Sequence, residues 1–152
     1  MDGWNENYDA TYNDLALARW VAADMLERLA PLVDMNSDIR VAQVHYWLGL
    51  SLLMLGDYFE EVTLDGAAPI TPAAALTLAL TSFDNAAQVA ATAGDSNLQA
   101  AALGSKARTL RSLFWDDGDG TNCQIRSHNR IAAQSYVRRV GTRSLSEVLN
   151  QS

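Results

Sequence analysis

Two apolar stripes of helical period, separated by a very short connection, constrain the fold of this chain most. The first stripe consists of Leu76, Leu80, Phe83, Ala87 and Ala90. The second consists of Leu98, Ala102, Leu103, Ala107, Leu110 and Leu113. Steps of three and four residues place each set on one face of an α-helix. Because only about two residues connect the helices, the pattern predicts an antiparallel helical hairpin.

The residues that flank these helices are of the types preferred at helix ends: Thr71, Pro72, Gly94, Asp95 and Ser96. A threonine followed by proline supplies an N-cap and a first-turn proline. A glycine ends the first helix of the hairpin, and either the aspartate or the serine after it caps the second. We therefore predict helices over residues 71–93 and 95–114.

The first half of the chain predicts two more helices, over residues 9–33 and 38–56. The apolar stripe of the earlier helix contains Leu15, Ala18, Ala22, Leu26, Leu29 and Val33. The later helix opens at Ser37 or Asp38 and stops at Gly56, the residue type best able to take a left-handed closing conformation. Its middle is apolar nearly all round, which predicts the most buried element of the fold.

No strand pattern competes with these helices. Sustained alternation is missing, and Asp65-Gly66 does not lie between β-branched runs as it would in a hairpin. Residues 57–70 are predicted to be a connection. The fold class is therefore all-α, with four helices packed as two antiparallel hairpins in residues 1–115. Residues 116–152 are predicted to form an acidic loop followed by a basic tail.

Small and large residues recur in the order of a tetratricopeptide repeat. The three segments that carry this order are Ala79-x3-Phe83-x2-Ala86, Leu103-Gly104-x2-Ala107 and Leu48-Gly49-x2-Leu52. Small residues at such positions let antiparallel helices approach closely, which predicts a helix contact at Gly104; an exposed Gly104 would instead tolerate larger residues. The two Leu-Gly pairs are 55 residues apart, which exceeds a repeat of roughly 34 residues and predicts an insertion near residues 60–75.

A longer series of short segments, over roughly residues 8–113, resembles one particular family. The segments are Ala18-Arg19-Trp20-x2-Ala23-Asp24, Tyr46-x2-Gly49-x5-Leu55-Gly56-Asp57-Tyr58-Phe59, Asp65-Gly66-x2-Pro69-Ile70-Thr71, Phe83-x2-Ala86, Ala93-Gly94-Asp95 and Gly104-x-Lys106-Ala107-Arg108. Their order is similar to the helical-repeat core of the SusD/RagB-like nutrient-binding outer-membrane lipoproteins. The tail after Gly120 departs from the family pattern.

The resemblance implies a non-catalytic scaffold that docks on a TonB-dependent outer-membrane transporter. It also implies that this chain is a fragment of a longer lipoprotein, whose oligosaccharide or other nutrient contacts lie mostly on loops outside the helical core. The alternative is a stand-alone cytoplasmic adaptor of tetratricopeptide-like type that binds a peptide or protein partner. The N-terminus is acidic and polar where a secretory signal is basic and then apolar, which fits either a cytoplasmic protein or a piece of something longer.

Charge and composition exclude several other classes. The chain of 152 residues carries a net charge of −7, and such a surface repels nucleic-acid phosphates. The charge is uneven, because residues 1–120 carry 6 basic and 17 acidic side chains whereas residues 121–152 carry 5 and 1. A single cysteine excludes a disulfide framework. No apolar run reaches the length of a membrane span, since the longest, Val44 to Leu55, contains His45, Gly49 and Ser51.

Residues capable of catalysis or metal binding do not form a recognisable motif. Starting an EF-hand at Asp117 places Asn122 at the glycine position and His128 at the glutamate position, so the acidic cluster at residues 116–120 is predicted to be a solvated loop. His45 is predicted to be a hydrogen-bonded helix residue, and Cys123 has no catalytic partner. We therefore expect no enzyme activity, no metal and no cofactor.

Three aromatic residues near the N-terminus are the candidates for ligand binding. Trp4, Tyr8 and Tyr12 are spaced by four, which would place their rings on one helix face for stacking on a sugar or packing on a partner. The alternative, which we favour, is that they cover neighbouring helices. Tyr46 and Trp47 lie in the most apolar helix, so we expect both in the core.

Overall fold

The structure is a computed structural model that describes the backbone of residues 5–116 and the side chains of residues 10–114. This part of the chain contains four helices: α1 Asn5–Leu29, α2 Ile39–Tyr58, α3 Pro72–Ala93 and α4 Ser96–Asp116. Neighbouring helices pack in chain order, and α2 also contacts α4. The predicted all-α class and the four predicted helices are confirmed.

The turn between α3 and α4 forms as its sequence predicts. The Thr71 hydroxyl accepts a hydrogen bond from the Ala74 amide at 3.2 Å, with proline at the first position of α3. Gly94 ends α3 in the left-handed conformation, with φ of 80°. The Asp95 carboxylate accepts a hydrogen bond from the Leu98 amide at 2.9 Å and so caps α4. Local signals are sufficient here because each cap bonds only to its own first or last turn.

The first helix ends four residues earlier than predicted, at Leu29. Pro31 explains the difference, because its ring disfavours the helical conformation of the residue before it. Val33, the last residue of the predicted stripe, therefore lies in the turn, where it still packs near Val41 and Ala42. Asp38 rather than Ser37 caps α2, and its side chain accepts from the Arg40 amide at 2.9 Å.

The prediction that α2 stops at Gly56 is wrong. The helix continues to Tyr58, and Phe59 caps it with extended backbone. A Cβ atom built on Gly56 would lie 2.7 Å from the Leu76 side chain and 3.1 Å from the Pro72 carbonyl oxygen. The absent side chain is therefore required for close approach of α3 and not for a left-handed turn.

The densest part of the core lies between α2 and α3. Phe83 is fully buried there with Leu52, Leu53, Leu76 and Ala79. A Cβ atom built on Gly49 would lie 2.7 Å from the Phe83 ring, so the glycine makes room for the aromatic side chain. The small and large residues recognised in the sequence therefore pack against each other across the contact between α2 and α3.

The prediction of a helix contact at Gly104 is not met. Gly104 is exposed, and no neighbouring atom lies within 4 Å of a Cβ atom built on it. The reason is that α4 is the last helix of the described residues, so its outer face has no helix to contact. The same Leu-Gly motif therefore has different surroundings in α2 and α4.

The connection between α2 and α3 folds over the N-terminal half and the middle of α1. An isolated antiparallel bridge joins Val62 to Ile70 through two backbone hydrogen bonds of 3.0 and 2.8 Å. Asp65 and Gly66, both with positive φ, turn the chain between Val62 and Ile70. A single bridge is too short for the alternation that marks a strand. Val62 is fully buried against Leu55 and Ala75.

Candidate functional site

An open groove between α1 and α2 is lined mainly by apolar side chains. Leu17, Val21 and Met25 lie four residues apart on one face of α1, and Trp47 faces them from α2. All four side chains are exposed, Trp47 to 62% and Leu17 to 58%. The space they surround is about 570 Å³. We call this surface, with its floor and its polar edge, the α1–α2 groove.

Small side chains keep the groove open. Ala22 and Val44 are buried at its floor, and Ala18 lies beside them. An alanine side chain is too short to fill the space between α1 and the Trp47 ring, whereas Leu26 and Leu29 of α1 pack on Val41 and Ala42 of α2. The groove therefore follows directly from the size of the residues that the two helices present to each other.

Three polar residues line the groove: Asp14, Gln43 and Ser51. The Ser51 hydroxyl donates to the Trp47 carbonyl oxygen at 3.0 Å, which satisfies it within α2. Asp14 is the charged residue among those that line the groove. It precedes Leu17 by one helical turn. The surface can therefore contact the apolar side chains of a partner, and the Asp14 carboxylate can pair with one of its cationic groups.

Polar contacts with the α2–α3 connection fix α1 in place. The Tyr12 hydroxyl accepts from the Thr63 amide at 2.8 Å and donates to the Thr63 carbonyl oxygen at 3.2 Å. The Arg19 guanidinium pairs with the half-exposed Asp65 carboxylate. Arg19 is itself buried, and its Nε has no hydrogen-bond partner among the described residues. The sequence did not reveal this role, because the two sides of each contact are more than forty residues apart.

The structure places the three candidate ligand-binding aromatics differently. Tyr12 packs edge-on against Phe59, with ring centroids 5.0 Å apart, which matches the interpretation that it covers a neighbouring element. Tyr8 lies in α1, and its side chain is outside the described ones. Trp4 lies outside the described residues. Their role in sugar binding stays a prediction.

Only one of the two aromatics predicted for the core of α2 lies there. Tyr46 is half-buried and packs near Phe83, with centroids 6.0 Å apart. The prediction is wrong for Trp47, which lines the groove. Successive helix residues point about 100° apart, so a ring next to Tyr46 points away from α3. An apolar helix with two different neighbours thus places adjacent aromatics in different environments.

Two titratable residues in and beside α2, His45 and Asp38, have lowered pKa values. The predicted hydrogen bond of His45 is not found for Nδ1, which is buried without a partner among the described residues, and burial lowers the pKa of this imidazole. Hydrogen bonds from Arg40 lower the pKa of the Asp38 carboxyl to about 2. Within the described residues, no group of three or more His, Cys, Asp or Glu side chains is arranged to hold a metal. The acidic cluster after Asp116, Cys123 and His128 lies outside them.

Comparisons with protein-family models, with curated proteins and with solved structures found no match to this chain. Among the described helices, none has both the length and the apolar character needed to cross a bilayer.

Proposed function

We propose that this chain is the non-catalytic helical scaffold of a SusD-like nutrient-binding protein and that it docks on a TonB-dependent outer-membrane transporter. The observation that carries the docking role is the α1–α2 groove, where Leu17, Val21, Met25 and Trp47 are exposed together. A contiguous apolar surface of this kind marks a protein interaction site. The order of the sequence motifs resembles the SusD/RagB-like family, and the proposed outer-membrane location rests on that resemblance.

The chemistry of the groove suits a protein partner better than an oligosaccharide. A sugar site needs several convergent hydrogen-bonding groups around an aromatic ring. Here one ring is available, and the Ser51 hydroxyl already donates to a backbone carbonyl. The nutrient contacts of the proposed family lie outside the helical core. We therefore expect this chain alone to bind oligosaccharides with millimolar affinity or not at all.

A second candidate function is a cytoplasmic adaptor of tetratricopeptide-like type, and the same groove favours it. A groove between antiparallel helices can hold an extended or helical peptide by its apolar side chains. The gene discriminates between the two functions. A secretory signal and a lipidation motif encoded upstream of Met1 support the scaffold, and an upstream region that encodes neither supports the adaptor.

The docking role is tested by co-expressing this chain with a TonB-dependent transporter encoded in the same gene cluster. We expect the tagged chain to retain the transporter through purification. Trp47→Gln should reduce the retained transporter at least fivefold. Leu78→Gln is the matched control, because Leu78 is an exposed apolar residue of α3 that does not line the groove. Equal losses in both variants, or no loss in either, would refute docking through the groove.

Oligosaccharide binding is tested separately by calorimetric titration of the chain with a glycan panel. Affinities in the millimolar range or weaker agree with a scaffold. A micromolar complex that is lost in Trp4→Ala would place the binding site on the N-terminal aromatics and contradict the proposal.

A further inference from the structure

We propose that the basic tail of the chain, residues 130–149, docks in the α1–α2 groove of the same molecule and competes with the protein partner. This regulation rests on the proposed function, since a cover regulates only a surface that another protein binds. The docking itself is measured without that partner. Three properties support the tail as the occupant: its apolar pattern, its charge and its reach.

The apolar pattern of the tail matches a groove of limited width. Small and medium apolar residues recur at helical spacing at Ala132, Ala133, Tyr136, Val137 and Val140. On a helical projection these five fall within an arc of about 140°, whereas Ile131, Leu145 and Leu149 fall outside it. A narrow stripe with two alanines suits a cleft whose floor is formed by Ala22 and Val44. The side chains at the groove edge, Met25 and Trp47, are long enough to enclose such a segment from both sides.

The charges of the two parts are opposite. Residues 1–120 carry a net charge of −11, whereas residues 121–152 carry +4. Arg138 and Arg139 lie outside the apolar arc of the tail, where they can pair with carboxylates at the groove edge such as Asp14. Two copies of the acidic body repel each other, so a second copy is a poorer occupant than the tail.

The tail is long enough to reach the groove. The ion pair of Arg108 with Asp57, at 3.1 Å, places the second half of α4 beside the end of α2. From Asp116 the 14 residues before Ile131 can extend about 46–50 Å. The whole of α2 is about 30 Å long, so a groove centred on Trp47 lies within this distance. Tethering supplies an effective concentration in the millimolar range, so a contact whose dissociation constant is well below that range is mostly occupied.

The test uses the full chain with a photo-crosslinker on the tail. Cys123 is the only cysteine, so Cys123→Ser combined with Gly141→Cys gives a single labelling position just after the apolar stripe. Photolysis is followed by mass spectrometry of the crosslinked peptides. We expect most crosslinks to fall on α1 and α2 residues around the groove and their yield to be independent of protein concentration.

Two variants identify the contacts. Met25→Gln with Trp47→Gln should lower the groove crosslinks at least fivefold, and Leu78→Gln should leave them unchanged. Arg138→Glu with Arg139→Glu should also lower the yield of groove crosslinks. This variant leaves the sequence of the four described helices unchanged. Crosslinks spread evenly over the surface, or crosslinks between molecules that increase with concentration, would overturn the proposal. Failure of the transporter experiment would leave these results unaffected.

Discussion

Small residues lie at both helix contacts of α2, but the contact with α3 is filled and the contact with α1 is partly open. Toward α3, Gly49 and Gly56 leave room that Phe83 and Leu76 fill completely. Toward α1, Ala18 and Ala22 leave room that no described side chain fills, and Trp47 remains 62% exposed. On these two sides of α2, the small residues are covered only where a large residue of the neighbouring helix enters the space. We infer that the α3 side contributes more to stability than the α1 side, where the proposed docking surface lies.

The largest loss of stability should follow from removing the side chain that fills the contact between α2 and α3. Phe83→Ala removes a fully buried ring from the α2–α3 contact. We expect the free energy of unfolding to fall by about 3–5 kcal/mol, because both the burial of the ring and the packing around it are lost. Urea denaturation followed by circular dichroism measures this change. A loss below about 1 kcal/mol would show that this contact is not the centre of the core.

A smaller loss should follow from crowding the same contact. The Cβ atom of Gly49→Ala would lie 2.7 Å from a ring carbon of Phe83. The ring is fully buried and cannot move freely, so we expect a destabilisation of about 1–3 kcal/mol despite the better helix propensity of alanine. The thermal midpoint of unfolding reports it. A variant more stable than the parent would contradict the close approach.

The contact between α1 and the α2–α3 connection should contribute less. Asp65→Asn removes the charge that pairs with the buried Arg19 while keeping a residue that tolerates the positive φ at this position. Because Asp65 is 55% exposed, solvent screens the pair, and we expect a loss of about 1 kcal/mol. Asp84→Asn is the control, since that equally exposed carboxylate pairs with Lys106 and should change the unfolding free energy less.

A glycine-to-alanine substitution should destabilise the protein at Gly49 of α2 but stabilise it at Gly104 of α4. Gly104 has open space around it, so Gly104→Ala gains helix propensity without a clash. We expect a stabilisation of roughly 0.8–1 kcal/mol in chemical denaturation. A leucine at this position should also be tolerated. If Gly104→Leu lost 1–3 kcal/mol, α4 would have a close neighbour at this glycine, and the contrast with Gly49 would fail.

The sequence predicted what depends on neighbours along the chain. Thr71, Gly94 and Asp95 cap their helices as expected, because each of these residues acts on an adjacent turn. The surroundings of Gly56 and Gly104 were missed, since they depend on which helix lies opposite. The Leu-Gly motif looks the same in the sequence whether an aromatic ring or solvent occupies the space beside the glycine.

The candidate groove was not predictable for the same reason. Leu17, Val21 and Met25 are apolar residues in an amphipathic helix, and such residues are usually assigned to a core. Their exposure follows from the alanines of α1 and from the placement of Trp47 on α2. The polar contacts of Tyr12 and Arg19 join residues far apart in sequence, so neither produces a local pattern.

The most direct test of the account compares the unfolding free energy of Met25→Gln with Trp47→Gln against that of the parent chain. Met25 is 44% and Trp47 62% exposed, so replacing them with polar side chains removes only part of the packing of each residue. We predict a loss below about 2 kcal/mol, which is less than the full burial of one large apolar side chain contributes. A loss of about 2 kcal/mol or more would show that the α1 side of α2 is part of the stabilising core, and would contradict its assignment as a docking surface.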